Sequence, residues 1–143
     1  MGTGAAGVGV LAWMAALSAY DIRERRLPNW LTLPGAVAVA TVAAAAGRGL
    51  PALVGAGALF GFYLVVHLLA PSAMGAGDVK LALGTGALTG ALGFDVWMLA
   101  AVAAPLLTAV WAVAAIVRHK GCTVPHGPSM CLAAAVAGAL AVV

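Results

Sequence analysis

The sequence predicts an all-α integral membrane protein, a single domain over residues 1–143 built as a bundle of six transmembrane helices with both termini outside. Three observations predict it. Hydrophobic residues make up 64% of the chain and charged residues 8%, with a mean hydropathy of +1.11, far from the range of soluble domains. The apolar residues run in long blocks broken by short polar links. The basic residues fall almost entirely in alternate links, as membrane topology requires.

Residues 2–20 are apolar enough to cross a bilayer, and no Lys or Arg precedes them, so the expectation is a retained helix rather than a cleaved leader. A polar link of about residues 21–29 follows, and Pro28 suits the start of a second span from Trp30 to Ala46. Gly47-Arg48-Gly49 is the turn into a third span, Pro51 to Ala70. Pro71 to Gly77 is rich in Pro, Ser and Gly and breaks the helix. The fourth span runs from near Asp78 to Leu92. Beyond Gly93-Phe94-Asp95, where Asp95 opens the helix on the outer side, the fifth covers Val96 to Val117. The link Arg118 to Gly127 leads into the sixth.

With six spans, one side of the membrane receives Arg23, Arg25, Arg26, Lys80, Arg118 and Lys120, and the other receives Arg48 alone. Links one, three and five therefore face the cytosol, in a multi-pass protein of the cytoplasmic membrane. The formal charge of +3 lies between apolar segments and forms no stripe, which argues against nucleic-acid binding. Cys122 and Cys131 lack CxxC spacing and read as small apolar fillers. His67, His119 and His126 show no metal-ligand spacing, so no metal site is expected, and His67 reads as a hydrogen-bonded core residue.

Close helix packing is suggested by Gly57-x-x-x-Gly61 and Gly86-x-x-x-Gly90, although such spacing also arises by chance in a chain this rich in Gly and Ala. Tyr20, Trp30 and Trp97 fall near membrane interfaces, while Trp13 and Trp111 are expected to fill space within spans.

Topology places two acids on one face. Asp21 closes the first span and Asp78 opens the fourth. Two carboxylates held close together share a proton, so that one serves as base and the other as acid. The ionised member can take a proton from water as it attacks a peptide carbonyl, and the protonated member supports the oxyanion. Gly75 and Gly77 remove side chains just before Asp78 and let a substrate backbone approach. Bland roles stand beside these. Asp78 can cap its helix, and Asp21 can pair with the arginines that follow it. Lys80 either tunes Asp78 or snorkels as a topological anchor. Arg23, Arg25 and Arg26 read chiefly as topology signals, and Glu24 is the one further acid on that face.

Asp21 with Arg26-Leu27-Pro28-Asn29, and Gly75-x-Gly77-Asp78-x-Lys80, resemble the two signature segments of the type IV prepilin peptidases, membrane aspartic proteases of the GxGD class. Pro125-His126-Gly127-Pro128 is similar to that family's Pro-Phe-Gly-Pro stretch. The resemblance covers essentially the whole chain. It implies a six-helix peptidase without a cofactor that removes a short basic leader from prepilin or pseudopilin precursors at the cytosolic face, commonly just after a glycine. Asp21 and Asp78 would be its catalytic aspartates. Gly75, Gly77, Lys80, Pro28, Asn29, Pro125, Gly127 and Pro128 would support them or contact substrate.

Larger members of the family carry an extra cytosolic region with paired CxxC motifs and also methylate the new amino terminus. This chain resembles the short form of Flp or Tad pilus systems, for which no methyl transfer is expected. It departs from the pattern at Leu27, where Ile is commoner, at His126, where an aromatic is usual, and at Ser129 after the second proline. Two other classes compete. A transporter or proton-relay subunit would hold its acids near the bilayer midplane on interrupted helices. A scaffold of a secretion apparatus would need neither acid.

Overall fold

A computed structural model describes residues 2–121 and 123–143, so Cys122 lies outside the described residues. The chain forms six helices in order: α1 (Gly2–Glu24), α2 (Asn29–Ala45), α3 (Gly49–Leu69), α4 (Ala76–Leu92), α5 (Phe94–Val117) and α6 (Gly127–Val142). No strand occurs among the described residues. Helices α1, α3 and α5 contain segments long and apolar enough to cross a membrane, Gly4–Glu24, Gly49–Leu69 and Phe94–Val117. Helices α2 and α6 are apolar but shorter.

Among the boundaries that differ from those read in the sequence, two move the acids Asp21 and Asp78. Helix α1 continues through Glu24, because Asp21-Ile22-Arg23-Glu24 contains no residue that resists helix. It ends at Arg25, whose φ of 54° puts it in the left-handed region. The Arg25 N–H still reaches the Asp21 carbonyl at 3.0 Å. Asp21 therefore stands in the last turn of a helix and not in a link. Helix α4 starts at Ala76, with Gly75 at its N-cap, so Asp78 is its third residue.

Helix α4 is the central element, packed against α2, α3, α5 and α6. Its buried residues include Gly84, Thr85, Gly86, Ala87, Thr89 and Gly90. Small side chains let neighbouring backbones come close. Thr85 and Thr89 satisfy their hydroxyls on the carbonyls one turn back, at 3.1 and 2.8 Å. The Gly86-x-x-x-Gly90 spacing does mark a close crossing, since a Cβ on Gly86 would lie 2.6 Å from the Gly55 carbonyl oxygen and one on Gly90 2.9 Å from Gly55 Cα. Gly57 and Gly61, by contrast, face open space. The glycine of α3 that makes the crossing is Gly55.

Helix α1 packs on α2 and α6, and among the described residues no Cα pair from α1 and α4 comes within 8 Å. Trp13 bridges that space. Its ring lies against Gly35 and Gly84, and its Nε1 donates to the Leu31 carbonyl at 2.8 Å. Trp97, in the first turn of α5, packs toward α3 and donates to the Gly55 carbonyl at 3.0 Å. Trp111, expected to fill interior space, is exposed on the flank of α5. Tyr20 and Trp30 meet edge to face, with ring centroids 5.8 Å apart.

Candidate active site

Asp21 is buried, only 7% exposed, although it belongs to the polar end of α1. Its Oδ2 accepts a hydrogen bond from the Gly127 N–H at 2.9 Å. Gly127 is the first residue of α6, where backbone N–H groups have no partner within the helix. A Cβ on Gly127 would stand 2.6 Å from that same oxygen, so only glycine admits this approach.

Asp78 occupies the first turn of α4, where the helix dipole favours an anion. Its carboxylate folds back over Gly75, and a Cβ there would lie 3.2 Å from Asp78 Oδ2. The charges of Asp21 and Asp78 are close enough to interact, and Tyr63 feels the charge of Asp78. The fold thus brings the two acids to one end of the bundle across the gap between α1 and α4.

The other motif residues gather at the same end. Pro28 is the N-cap of α2 in an extended conformation, and its carbonyl accepts from the Thr32 N–H and hydroxyl, both at 3.0 Å. Leu27 lies under the start of α4, 3.0 Å from where a Cβ on Gly77 would project. Lys80 Nζ donates to Asn29 Oδ1 at 2.8 Å. The first two signature segments are therefore joined by one apolar and one polar contact. Arg25 donates to the Thr123 carbonyl at 2.9 Å and ties the first link to the segment before α6. Pro128 takes an early position in α6, where proline fits a helix start. Among the described residues, no hydrogen bond to a side chain involves Pro125. Glu24, Arg26, Leu27, Pro28 and Asn29 line a cleft of about 210 Å³ beside these residues.

Two histidines hold the loops. His67 Nδ1 is 2.7 Å from the Met74 carbonyl, which can only accept, so the hydrogen is on Nδ1 and pins the segment leading to Gly75. His126 contacts Tyr63 and Thr108. Burial pushes its pKa from the ordinary 6.5 down to about 4. Neither Tyr63 nor Thr108 stands out in the sequence, since each sits inside an apolar span and belongs to no motif. The one hint was that a buried tyrosine hydroxyl requires a partner. Among the described residues no three His, Cys, Asp or Glu side chains gather as a metal site would require.

A family model for the type IV leader peptidases matches residues 8–113, which include both acids and all of Gly75 to Lys80. The chain belongs to the type IV leader peptidase family. As a member it is a leader-peptidase type of protease with prepilin-like proteins as its class of substrate. The matched region ends before Gly127, so the partner of Asp21 lies outside it. No curated protein and no solved structure matches the chain.

Proposed function

We propose that this leader peptidase is a membrane aspartic endopeptidase that removes the short basic leader from Flp-like prepilins at the cytosolic face of the cytoplasmic membrane. All six helices cross the bilayer with both termini outside. Helices α2, α4 and α6, with 17, 17 and 16 residues, reach ~25 Å at about 1.5 Å per residue, a few ångströms short of the ~30 Å hydrocarbon core, a mismatch that local thinning of the bilayer accommodates. The distribution of Lys and Arg supports this orientation, since Arg48 alone falls on the outer side.

One observation carries the proposal. Asp21 and Asp78, distant in the chain and each at a helix end, face a common region with their charges in mutual reach. The pair shares one proton. Its ionised member takes a proton from a water as that water attacks the scissile carbonyl, and the protonated member stabilises the oxyanion and then protonates the leaving amine. The cleft lined by Glu24, Arg26, Leu27, Pro28 and Asn29, at the end of the bundle that carries both acids, offers room for the substrate backbone. The product is the shortened pilin, with no methyl transfer.

Co-expression with a Flp-type prepilin, read by gel shift at matched membrane abundance, tests the reading. The native chain shortens the precursor, and Asp21→Asn and Asp78→Asn each abolish shortening. Processing that survives either substitution rules out the two-aspartate mechanism.

A further inference from the structure

Asp21 accepts a hydrogen bond from an amide far along the chain, and the side chain of the residue before that amide is itself anchored. His126 immediately precedes Gly127, and its imidazole lies between two helices that do not belong to the acid pair. Nε2 is 3.0 Å from the Tyr63 hydroxyl on α3, and Nδ1 is 2.6 Å from Thr108 Oγ1 on α5. Tyr63 is buried, with its ring centroid 5.6 Å from the imidazole.

One arrangement of the protons satisfies every member of this chain. Thr108 Oγ1 also lies 3.1 Å from the Ala104 carbonyl, so the threonine can give its single proton there and accept from His126 Nδ1. The bare Nε2 then accepts from the Tyr63 hydroxyl. The reverse assignment leaves the Tyr63 proton without an acceptor among the described residues.

We propose that His126 is a positioning residue: as the Nδ1–H tautomer it ties the segment before α6 to both α3 and α5, and so holds the Gly127 N–H on Asp21 Oδ2. The catalytic consequence rests on the proposed role of Asp21. The geometric claim stands apart from it. The imidazole is anchored at both nitrogens and joins the backbone one peptide from the Gly127 amide, so its anchoring restricts where that amide can lie. Because the amide addresses an acid and not the substrate, its loss affects turnover and leaves binding nearly intact.

The test uses the full chain in detergent, labelled with ¹⁵N-glycine and ¹⁵N-histidine, together with His126→Ala, His126→Gln and Tyr63→Phe. Imidazole ¹⁵N shifts of the native chain place the hydrogen on Nδ1. In His126→Ala the Gly127 amide exchanges with solvent at least about tenfold faster while Gly84 and Gly86 in α4 are unchanged, and kcat on a Flp-type prepilin falls on the order of 10- to 100-fold with KM within about threefold. His126→Gln keeps one donor and one acceptor and recovers part of both. If His126→Ala does not fold, Tyr63→Phe, which removes one hydroxyl, still speeds exchange at Gly127.

Unchanged Gly127 exchange in both His126→Ala and Tyr63→Phe overturns the proposal. So does a hydrogen on Nε2, or a loss carried by KM. Should the native chain leave the precursor whole, the protease reading fails, and exchange and tautomer still decide the geometric claim.

Discussion

Asp21 and Asp78 reach the same site by opposite routes. Asp78 stands in the first turn of α4, where unpaired N–H groups and the dipole favour a carboxylate, and its supporting glycine is three residues away. Asp21 stands in the last turn of α1, where the dipole opposes an anion. Its hydrogen bond comes from Gly127, at the other end of the chain. One acid is supported by its own helix and the other by the tertiary fold. Disturbing distant structure should therefore act through Asp21 first.

The largest effect should come from filling the space between Gly127 and Asp21. A methyl group at Gly127 would meet Asp21 Oδ2 at 2.6 Å, and a carboxylate held by packing on all sides has little room to retreat. Gly127→Ala should lower kcat on the order of 100-fold. Gly75→Ala brings a methyl group to 3.2 Å from Asp78 Oδ2 at an exposed position, where the chain can yield. It should lower kcat by about tenfold or less. Steady-state cleavage by the two purified variants measures the difference, and a larger loss in Gly75→Ala would reverse the comparison.

A smaller effect should appear in stability. The unfolded chain protonates His126 below about 6.5, whereas the folded protein holds it neutral to about 4. Folding is therefore at full strength above 6.5 and weakens as pH falls from 6.5 to 4. The loss amounts to at most ~3 kcal/mol. His126→Gln removes this slope. The acids Asp21 and Asp78 are common to both chains, so the difference in Tm between them, followed from neutral to acid pH, isolates the histidine. Parallel curves would mean that His126 is not buried as a neutral base.

The helices were legible in the sequence because apolar blocks and Gly-Pro breaks are local signals. Gly47, Pro71 to Gly77 and Gly93 each fall at or beside an observed helix boundary. The end of α1 was not legible, since a left-handed Arg25 carries no compositional mark. Spacing alone could not separate Gly86 and Gly90, which meet α3, from Gly57 and Gly61, which meet nothing, because spacing does not say which face of a helix is covered. At the site, the motifs named Asp21, Asp78 and Gly127 but not the bond between the first and the last. His126 read as a departure from a pattern. Its contacts, Tyr63 and Thr108, lie on two helices whose adjacency only the fold reveals.

The smallest effect concerns Lys80, for which the sequence left tuning of Asp78 and anchoring side by side. Its ammonium reaches Asn29 Oδ1 at 2.8 Å, which offers a third role, a staple between the starts of α2 and α4. The bond is exposed, so it should contribute no more than about 1 kcal/mol. Under the staple reading, Lys80→Gln and Asn29→Ala each slow cleavage by about threefold or less, and the double variant is no worse than either alone. Tuning of Asp78 would instead move the acid limb of the pH–rate profile in Lys80→Gln and leave it in place in Asn29→Ala. The outcome bears on the contrast between the two acids. A staple confined to the α2 and α4 starts leaves Asp78 self-supported, whereas a shifted limb would show that Asp78 too depends on a neighbour.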